Sequence, residues 1–209
     1  MGFRPTEEAE SRAQSRGYIV DPQKRAAWLN NQSEPILSDA LSDSEAPPRS
    51  LVTYRNGKKE YVPESALDGK VLALLFGANG PLCCGFARNF AKVYKKLRRE
   101  ESDPFEVIYV SKDNSRRDFD RFVKGMPWLA LPFRDNTFLF ERYKVPDDVL
   151  SWPRMVILTP DNRVMFEDAV PIAKECMLEK KPEAFSTVLE TAWSDRGLIN
   201  RFNSLFGPW

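Results

Sequence analysis

One stretch of the sequence, from Val71 to Tyr94, limits the fold more than any other. It begins with six apolar residues, VLALLF, between Asp68-Gly69 and Gly77, and this pattern predicts a buried central strand. The loop GANGPLCCGF follows. Beyond it, apolar residues recur with the period of an amphipathic helix, at Phe86, Phe90, Val93, Tyr94 and Leu97. The stretch therefore predicts a strand, a tight turn and a helix.

Two adjacent cysteines, Cys83 and Cys84, lie where this helix is predicted to begin. A helix N-terminus stabilises a thiolate and lowers the pKa of a cysteine, so redox folds place a dithiol there. A working dithiol needs the spacing C-x-x-C, in which one thiol attacks a disulfide and the other resolves the mixed disulfide. The residues three positions upstream are Gly80 and Pro81, which carry no thiol. The attacking half of the dithiol is therefore missing.

Composition limits the other kinds of site. The 209 residues contain no histidine, which excludes Ser-His and Cys-His catalysis. The third cysteine, Cys176, is expected on a helix, at the surface or half buried. Three cysteines form neither a disulfide framework nor a zinc ligand set, so we expect no metal and no cofactor.

Charge and hydropathy limit the partners and the cellular location that we expect for the protein. The 31 basic and 30 acidic side chains give a net charge of +1, which does not favour nucleic acid as a partner. No apolar run approaches the roughly 18 residues of a membrane span. We expect a soluble, intracellular protein in a reducing compartment. It would lie in the cytoplasm, cytoskeleton or flagellum, or alternatively in the mitochondrion as part of a large complex.

The rest of the central region predicts further strands and short helices. Two alternating runs joined by Asn56-Gly57 predict a β-hairpin that begins at Ser50. Further along, the patterns predict a buried strand at Phe105 to Val110, a helix with Phe119, Phe122 and Val123 on one face that ends near Gly125, an extended MPWLALPF, a short helical stretch around Phe138 to Tyr143, and a last hairpin of RMVILT and RVMFED. A buried strand, a helix and a second buried strand in sequence require a parallel centre.

The two ends differ from this central region. Residues 1–49 are polar and predict an extended N-terminal arm without a core of its own. Residues 171–209 predict a C-terminal helical extension. Its end is rich in large apolar side chains, at Leu198, Ile199, Phe202, Leu205, Phe206 and Trp209. Such a tail either covers its own core or docks on another protein.

Residues 50–170 carry a resemblance to a known family. MPWLALPF at Met126 to Phe133, together with VSKD at Val110 to Asp113 and FDRF, resembles the tryparedoxin and nucleoredoxin branch of the thioredoxin-like superfamily. The resemblance implies an α/β thioredoxin-like fold, with a central mixed β-sheet flanked by helices and an N-terminal β-hairpin. It also implies a cis-proline at Pro153, which would face the dithiol and flank a groove for an extended partner peptide.

The resemblance leaves two alignments of the redox motif. In the family the central strand leads into WCPPCRGF, whereas here it leads into NGPLCCGF, which is one residue shorter. If the GF dipeptide anchors the alignment, Cys83 matches the resolving cysteine and Gly80 the attacking one. If the strand anchors it, Cys84 and Pro81 take those places. Both alignments lack the attacking thiol and the tryptophan before it.

Three functions are compatible with this sequence. We favour a redox-inactive thioredoxin-like protein that is a structural or interaction subunit of a larger assembly and contacts other protein subunits through its arm and tail. The alternative is an atypical thiol-disulfide oxidoreductase or thiol-transfer protein that uses Cys83 or Cys84 as a single thiol. A third is a redox sensor or chaperone-like binder that uses the groove beside Pro153.

Overall fold

A computed structural model describes residues 50–100, 105–134, 136–160, 162–179 and Phe185. The predicted N-terminal arm and the apolar end of the C-terminal extension lie outside these residues. No helix within the described ranges is long and apolar enough to cross a membrane.

A mixed β-sheet forms the centre of the described domain, with the strand order β2-β1-β5-β4-β3-β6-β7. The strands are β1 (Ser50–Arg55), β2 (Lys58–Pro63), β3 (Val71–Gly77), β4 (Phe105–Ser111), β5 (Leu129–Ala130), β6 (Arg154–Leu158) and β7 (Val164–Phe166). Strand β3 pairs in parallel with β4 and antiparallel with β6. All residues of β3 and β4 are buried. The predicted buried central strand and parallel centre are confirmed.

The predicted N-terminal hairpin is also confirmed. Strands β1 and β2 pair antiparallel from Ser50 opposite Pro63 to Arg55 opposite Lys58. The two turn residues, Asn56 and Gly57, have φ values of 51° and 76°. A two-residue turn of this hand matches the twist of the strands, which is why Asn-Gly favours it.

The described part of the chain contains four α-helices, which are α1 (Pro81–Glu100), α2 (Arg116–Lys124), α3 (Thr137–Arg142) and α4 (Val170–Glu179). The predicted apolar face of α1 is buried from Phe86 to Leu97. Helix α2 begins after Ser115, whose side chain accepts a hydrogen bond from the Asp118 backbone, and it ends at Gly125 as predicted. The predicted helical stretch around Phe138 is α3.

Two features of the structure differ from the sequence predictions. The extended MPWLALPF contributes β5, in which Ala130 pairs with both Val52 of β1 and Tyr109 of β4. This two-residue strand joins the hairpin to the central sheet, whereas the predicted order of elements did not count it. Cys176 lies on a helix as predicted, but it is only 2% exposed, so the prediction of a surface or half-buried residue is wrong. Its side chain is buried because α4 packs against α1.

Candidate functional site

The candidate site lies where β3 and β4 end. These strands run in parallel with Gly77 opposite Ser111, so the segments that follow them lie side by side. The first segment leads through Gly80 into α1, which begins at Pro81. A Cβ atom added at Gly80 would have its nearest neighbour, the Ala78 carbonyl oxygen, 4.0 Å away. The backbone therefore leaves room for a side chain at this position.

Cys83 points inward from the first turn of α1. It is 5% exposed, and its Sγ lies 2.7 Å from the place that a Cβ on Gly77 would occupy. Burial raises the pKa of the Cys83 thiol to about 11, and a hydrogen bond with the Ala78 backbone offsets only part of that shift. The expectation that the helix N-terminus would lower the pKa is wrong for Cys83, because desolvation of the thiolate is the larger effect.

Cys84 occupies a different environment although it is the next residue. Its side chain is partly exposed, and its thiol donates a hydrogen bond to the Asn79 side-chain oxygen, at 3.2 Å. The Asn79 backbone in turn donates to Asp113 Oδ1 at 2.6 Å, and its side-chain amide lies 3.5 Å from Asp118 Oδ1. Cys84 therefore belongs to the side of the loop that contacts the segment after β4.

Asp113 holds this loop in place through several hydrogen bonds. Its Oδ2 accepts from the Ser111 hydroxyl at 2.7 Å and from the Tyr109 hydroxyl at 3.0 Å. The Tyr109 hydroxyl also lies 3.1 Å from the Gly77 carbonyl oxygen. Burial, together with the negative charge of Asp113, raises the pKa of Tyr109 well above its usual value, so this hydroxyl keeps its proton at neutral pH.

The sequence predictions missed Asn79, Tyr109 and Asp113 as parts of the site. The sequence contained a signal for Asp113, because this residue lies two positions after the end of β4, a buried strand that is parallel to β3. Polar residues just beyond the carboxyl ends of neighbouring parallel strands meet at one edge of a sheet.

Pro153 lies on a neighbouring part of the same edge. The Trp152-Pro153 peptide bond is cis, and Pro153 is buried at the start of β6. The Trp152 indole donates to the Pro146 carbonyl oxygen at 2.9 Å and contacts the ring of Phe140 edge-on, at a centroid distance of 5.7 Å. These contacts fix the segment that carries Pro153.

An open groove of about 910 Å³ extends from Pro153 between two helices. We call it the α1–α4 groove. It is lined by α1 residues from Leu82 to Lys96, by Leu150, Trp152 and Pro153, and by α4 residues from Lys174 to Leu178. Among the described residues that line it, Cys176 is the sole cysteine, so Cys83 and Cys84 do not open into it.

The structure thus brings Gly80, Pro81, Cys83 and Cys84 together at the start of α1. Pro153 lies in the lining of the adjacent groove. The three cysteines are free thiols. Within the described ranges, no three His, Cys, Asp or Glu side chains come together as metal ligands.

Comparisons with known proteins agree with this architecture. The sequence model of the thioredoxin-like family matches residues 69–164. Probable nucleoredoxin 2 of Oryza sativa subsp. japonica is 40% identical over 148 residues, which are 66% of this chain and 36% of that protein. Tryparedoxin I of Crithidia fasciculata has a similar structure, with a TM-score of 0.54 and 26% identity over 71% of this chain and 94% of that chain. A tryparedoxin II complexed with glutathionylspermidine also has a TM-score of 0.54, with 26% identity over 72% of this chain and 95% of that chain.

The curated relatives are longer than the part that matches. The chain spans 36% of the length of this Oryza sativa protein and 36% of that of a probable nucleoredoxin 3 of Arabidopsis thaliana. The similarity therefore concerns one thioredoxin-like domain of these nucleoredoxins.

Proposed function

Because this chain belongs to the nucleoredoxin and tryparedoxin branch of the thioredoxin-like superfamily, we propose that it acts as a redox-inactive interaction subunit of a larger protein assembly. In this proposal the thioredoxin-like domain binds partner proteins and does not carry out dithiol chemistry. The observation that carries this proposal is Gly80, which lies where the attacking thiol is needed.

The positions of the two cysteines favour one of the two alignments. A resolving cysteine is a buried thiol in the first turn of the helix, three residues after the attacking one. Cys83 fits that description, since it is buried and three residues after Gly80. We therefore align Gly80 with the attacking cysteine and Cys83 with the resolving cysteine. Disulfide reduction cannot begin at Gly80, and at Cys83 the raised pKa keeps the thiol neutral.

A second candidate function is thiol transfer by Cys84. The observation in its favour is the partial exposure of Cys84 in the first turn of α1, where its thiolate could attack the disulfide of a small thiol, forming a mixed disulfide and releasing the other half as a free thiol. The similarity to a tryparedoxin II complexed with glutathionylspermidine makes a glutathione-containing thiol the first compound to test.

The experiment is reduction of insulin disulfides by the purified 209-residue chain with dithiothreitol as the electron source. We expect the wild-type rate to equal that of the Cys83→Ser, Cys84→Ser double variant, because neither protein has an attacking thiol. A wild-type rate clearly above that of the double variant would contradict the proposal and favour single-thiol chemistry.

The Gly80→Cys variant is the matched positive control. A Cβ at this position meets no atom closer than 4.0 Å, so the substitution fits the backbone and creates the spacing C-x-x-C with Cys83. We expect weak reductase activity, which is lost again when Cys83→Ser is added. Activity in Gly80→Cys but not in wild type would identify the missing thiol as the cause of inactivity.

A further inference from the structure

We infer that the α1–α4 groove binds a helical segment of a partner protein that is apolar on one face and acidic along its edges. This inference rests on the proposed interaction function and deepens it by stating the chemistry of the partner. It is carried by three properties of the groove: exposed leucines, lysines on both walls, and helical walls.

Three leucines from three separate elements surround the groove. Leu82 at the start of α1 is 54% exposed, Leu150 before β6 is 81% exposed, and Leu178 near the end of α4 is 84% exposed. Single exposed leucines are common on protein surfaces, but several around one cavity form a contiguous apolar patch. Between them Phe86 and Trp152 are buried, so their side chains provide a rigid apolar floor.

Lysines provide the charge of the groove. Lys92 and Lys96 line it from α1 and Lys174 lines it from α4, while none of the described lining residues is acidic. Asp168, whose charge interacts with that of Lys174, is half-buried, accepts hydrogen bonds from the Met155 and Val170 backbones, and pairs with Arg154 at 3.7 Å. The groove is therefore an apolar slot with positive charge on both walls, which is complementary to acidic side chains.

The walls favour a helical ligand over an extended one. Extended peptides bind by adding a strand to a sheet edge, and the edge strands of this sheet are β2 and β7, neither of which lines the groove. The walls from α1 and α4 offer side chains, since their backbone groups are bonded within the helices. Leu82 and Lys96 are fourteen residues apart, about 21 Å along a helix, which is the length of a partner helix of about 14 residues.

The test uses a fluorescent helical peptide of about 14 residues as the probe, with leucines at i, i+3, i+4 and i+7 and glutamates at the flanking positions. A matched peptide carries lysine in place of every glutamate. Fluorescence anisotropy with the 209-residue chain measures both affinities. We expect the acidic peptide to bind about tenfold or more tightly than the basic one, and its affinity to fall as salt is raised. Equal affinities, or no binding of either peptide at millimolar protein, would overturn the inference.

Two pairs of variants locate the binding site. Lys92→Glu reverses a charge that lines the groove, whereas Lys95→Glu makes the same change on the same helix outside it. Leu150→Ser removes an apolar side chain from the groove, whereas Val149→Ser does so at its 62% exposed neighbour, which does not line it. We expect about a tenfold loss of acidic-peptide affinity for the first member of each pair and less than about twofold for the second. Equal losses within a pair would overturn the inference.

Two other occupants of the groove are outcomes of the same test. A synthetic peptide of residues 198–209 that displaces the acidic probe and binds more tightly would show that the occupant is a segment of this chain. A concentration-dependent dimer in analytical ultracentrifugation that Leu150→Ser dissociates would show that it is a second copy. Either result would overturn the inference of an acidic partner.

The inference and the proposed function fail in different ways. Insulin reduction by the wild-type chain would refute the proposed function, whatever the peptides do. If the wild type is inactive in that assay but Lys92→Glu leaves the affinity for the acidic peptide unchanged, the interaction function stands and the groove is not its site.

Discussion

At the scale of single residues, adjacent thiols in one helical turn have opposite environments. Cys83 faces the core beneath the end of β3, with its pKa raised to about 11, whereas Cys84 is partly exposed and bonded to Asn79. Successive residues of a helix point about 100° apart, so one of two neighbours can be buried while the other meets solvent. The two thiols therefore differ in burial and in hydrogen bonding, although the two residues are adjacent in sequence.

The first prediction concerns alkylation of the three cysteines. With iodoacetamide at neutral pH, we expect Cys84 to react first, because Cys83 and Cys176 are buried and the raised pKa of Cys83 removes almost all of its thiolate. Peptide mass spectrometry over a time course gives the three rates. Fastest reaction at Cys176 would contradict the described packing of α4 on α1.

The second prediction concerns the pH dependence of stability. The pKa of Cys83 is raised from 9.0 to about 11 on folding, so its contribution to stability is complete below pH 9 and is lost as the pH rises towards 11. In urea unfolding with a reductant, we expect wild type to lose about 1 to 2 kcal/mol more than Cys83→Ala between pH 8 and pH 10.5. The buried tyrosines titrate in both proteins, so their effect on stability cancels in this comparison. The same loss in both would mean that Cys83 ionises normally in the folded chain.

At the scale of elements, the junction of β3 and α1 depends on a close approach at Gly77. A Cβ there would lie 2.7 Å from the Cys83 Sγ, which is too short for two unbonded heavy atoms. Gly85 is a matched control within α1, since a Cβ at that position meets no atom within 4 Å.

The third prediction compares alanine at these two glycines. We expect Gly77→Ala to reduce the free energy of unfolding by about 1 to 3 kcal/mol, because Cys83 must move within a packed core. Gly85→Ala should be neutral or stabilise by up to about 1 kcal/mol, because alanine favours helix. Urea unfolding measures both. In the Cys83→Ala background, Gly77→Ala should reduce the free energy of unfolding much less, because the Sγ atom that it meets is gone. An equally large loss of unfolding free energy in the Cys83→Ala background would show that the effect comes from the backbone and not from the contact with Cys83.

Local sequence patterns predicted most of these elements, but not the tertiary contacts between them. The Asn56-Gly57 turn, the buried β3 and the apolar face of α2 each depend on residues close in sequence, and all three predictions are confirmed. The burial of Cys176, the bond between Asn79 and Asp113, and the pairing of Ala130 with Val52 depend on contacts between distant segments. Periodicity carries no information about such contacts, so the groove between α1 and α4 could not be predicted either.

At the scale of the whole molecule, the described domain completes its own core. The aromatic cluster around Phe90 includes Phe185, whose ring lies 5.2 Å from it edge-on, and Phe185 is buried. The polar arm at 1–49 and the apolar end at 198–209 lie outside the described residues, and we propose that they contact other subunits.

The fourth prediction concerns these ends. Deleting residues 1–45 or 198–209 should release the chain from its partners but leave the domain folded, because the core described here lies between Ser50 and Phe185. Each large apolar side chain buried at an interface contributes about 1.5 to 3 kcal/mol, so the tail could supply much of the binding free energy. Co-purification and circular dichroism melts of the truncated forms measure the two effects. Unchanged association with a much lower melting temperature would mean that the ends pack on their own domain.

We propose that this chain acts by binding and not by thiol chemistry. The most direct measurement replaces the chain with its Cys83→Ser, Cys84→Ser variant in the cells that express it and follows the mass of the complex that contains it, by native electrophoresis without reductant. We expect a complex of unchanged mass and abundance, because no thiol at the site takes part in binding. Release of the variant as a free chain, while the wild type stays in the complex, would contradict the proposal.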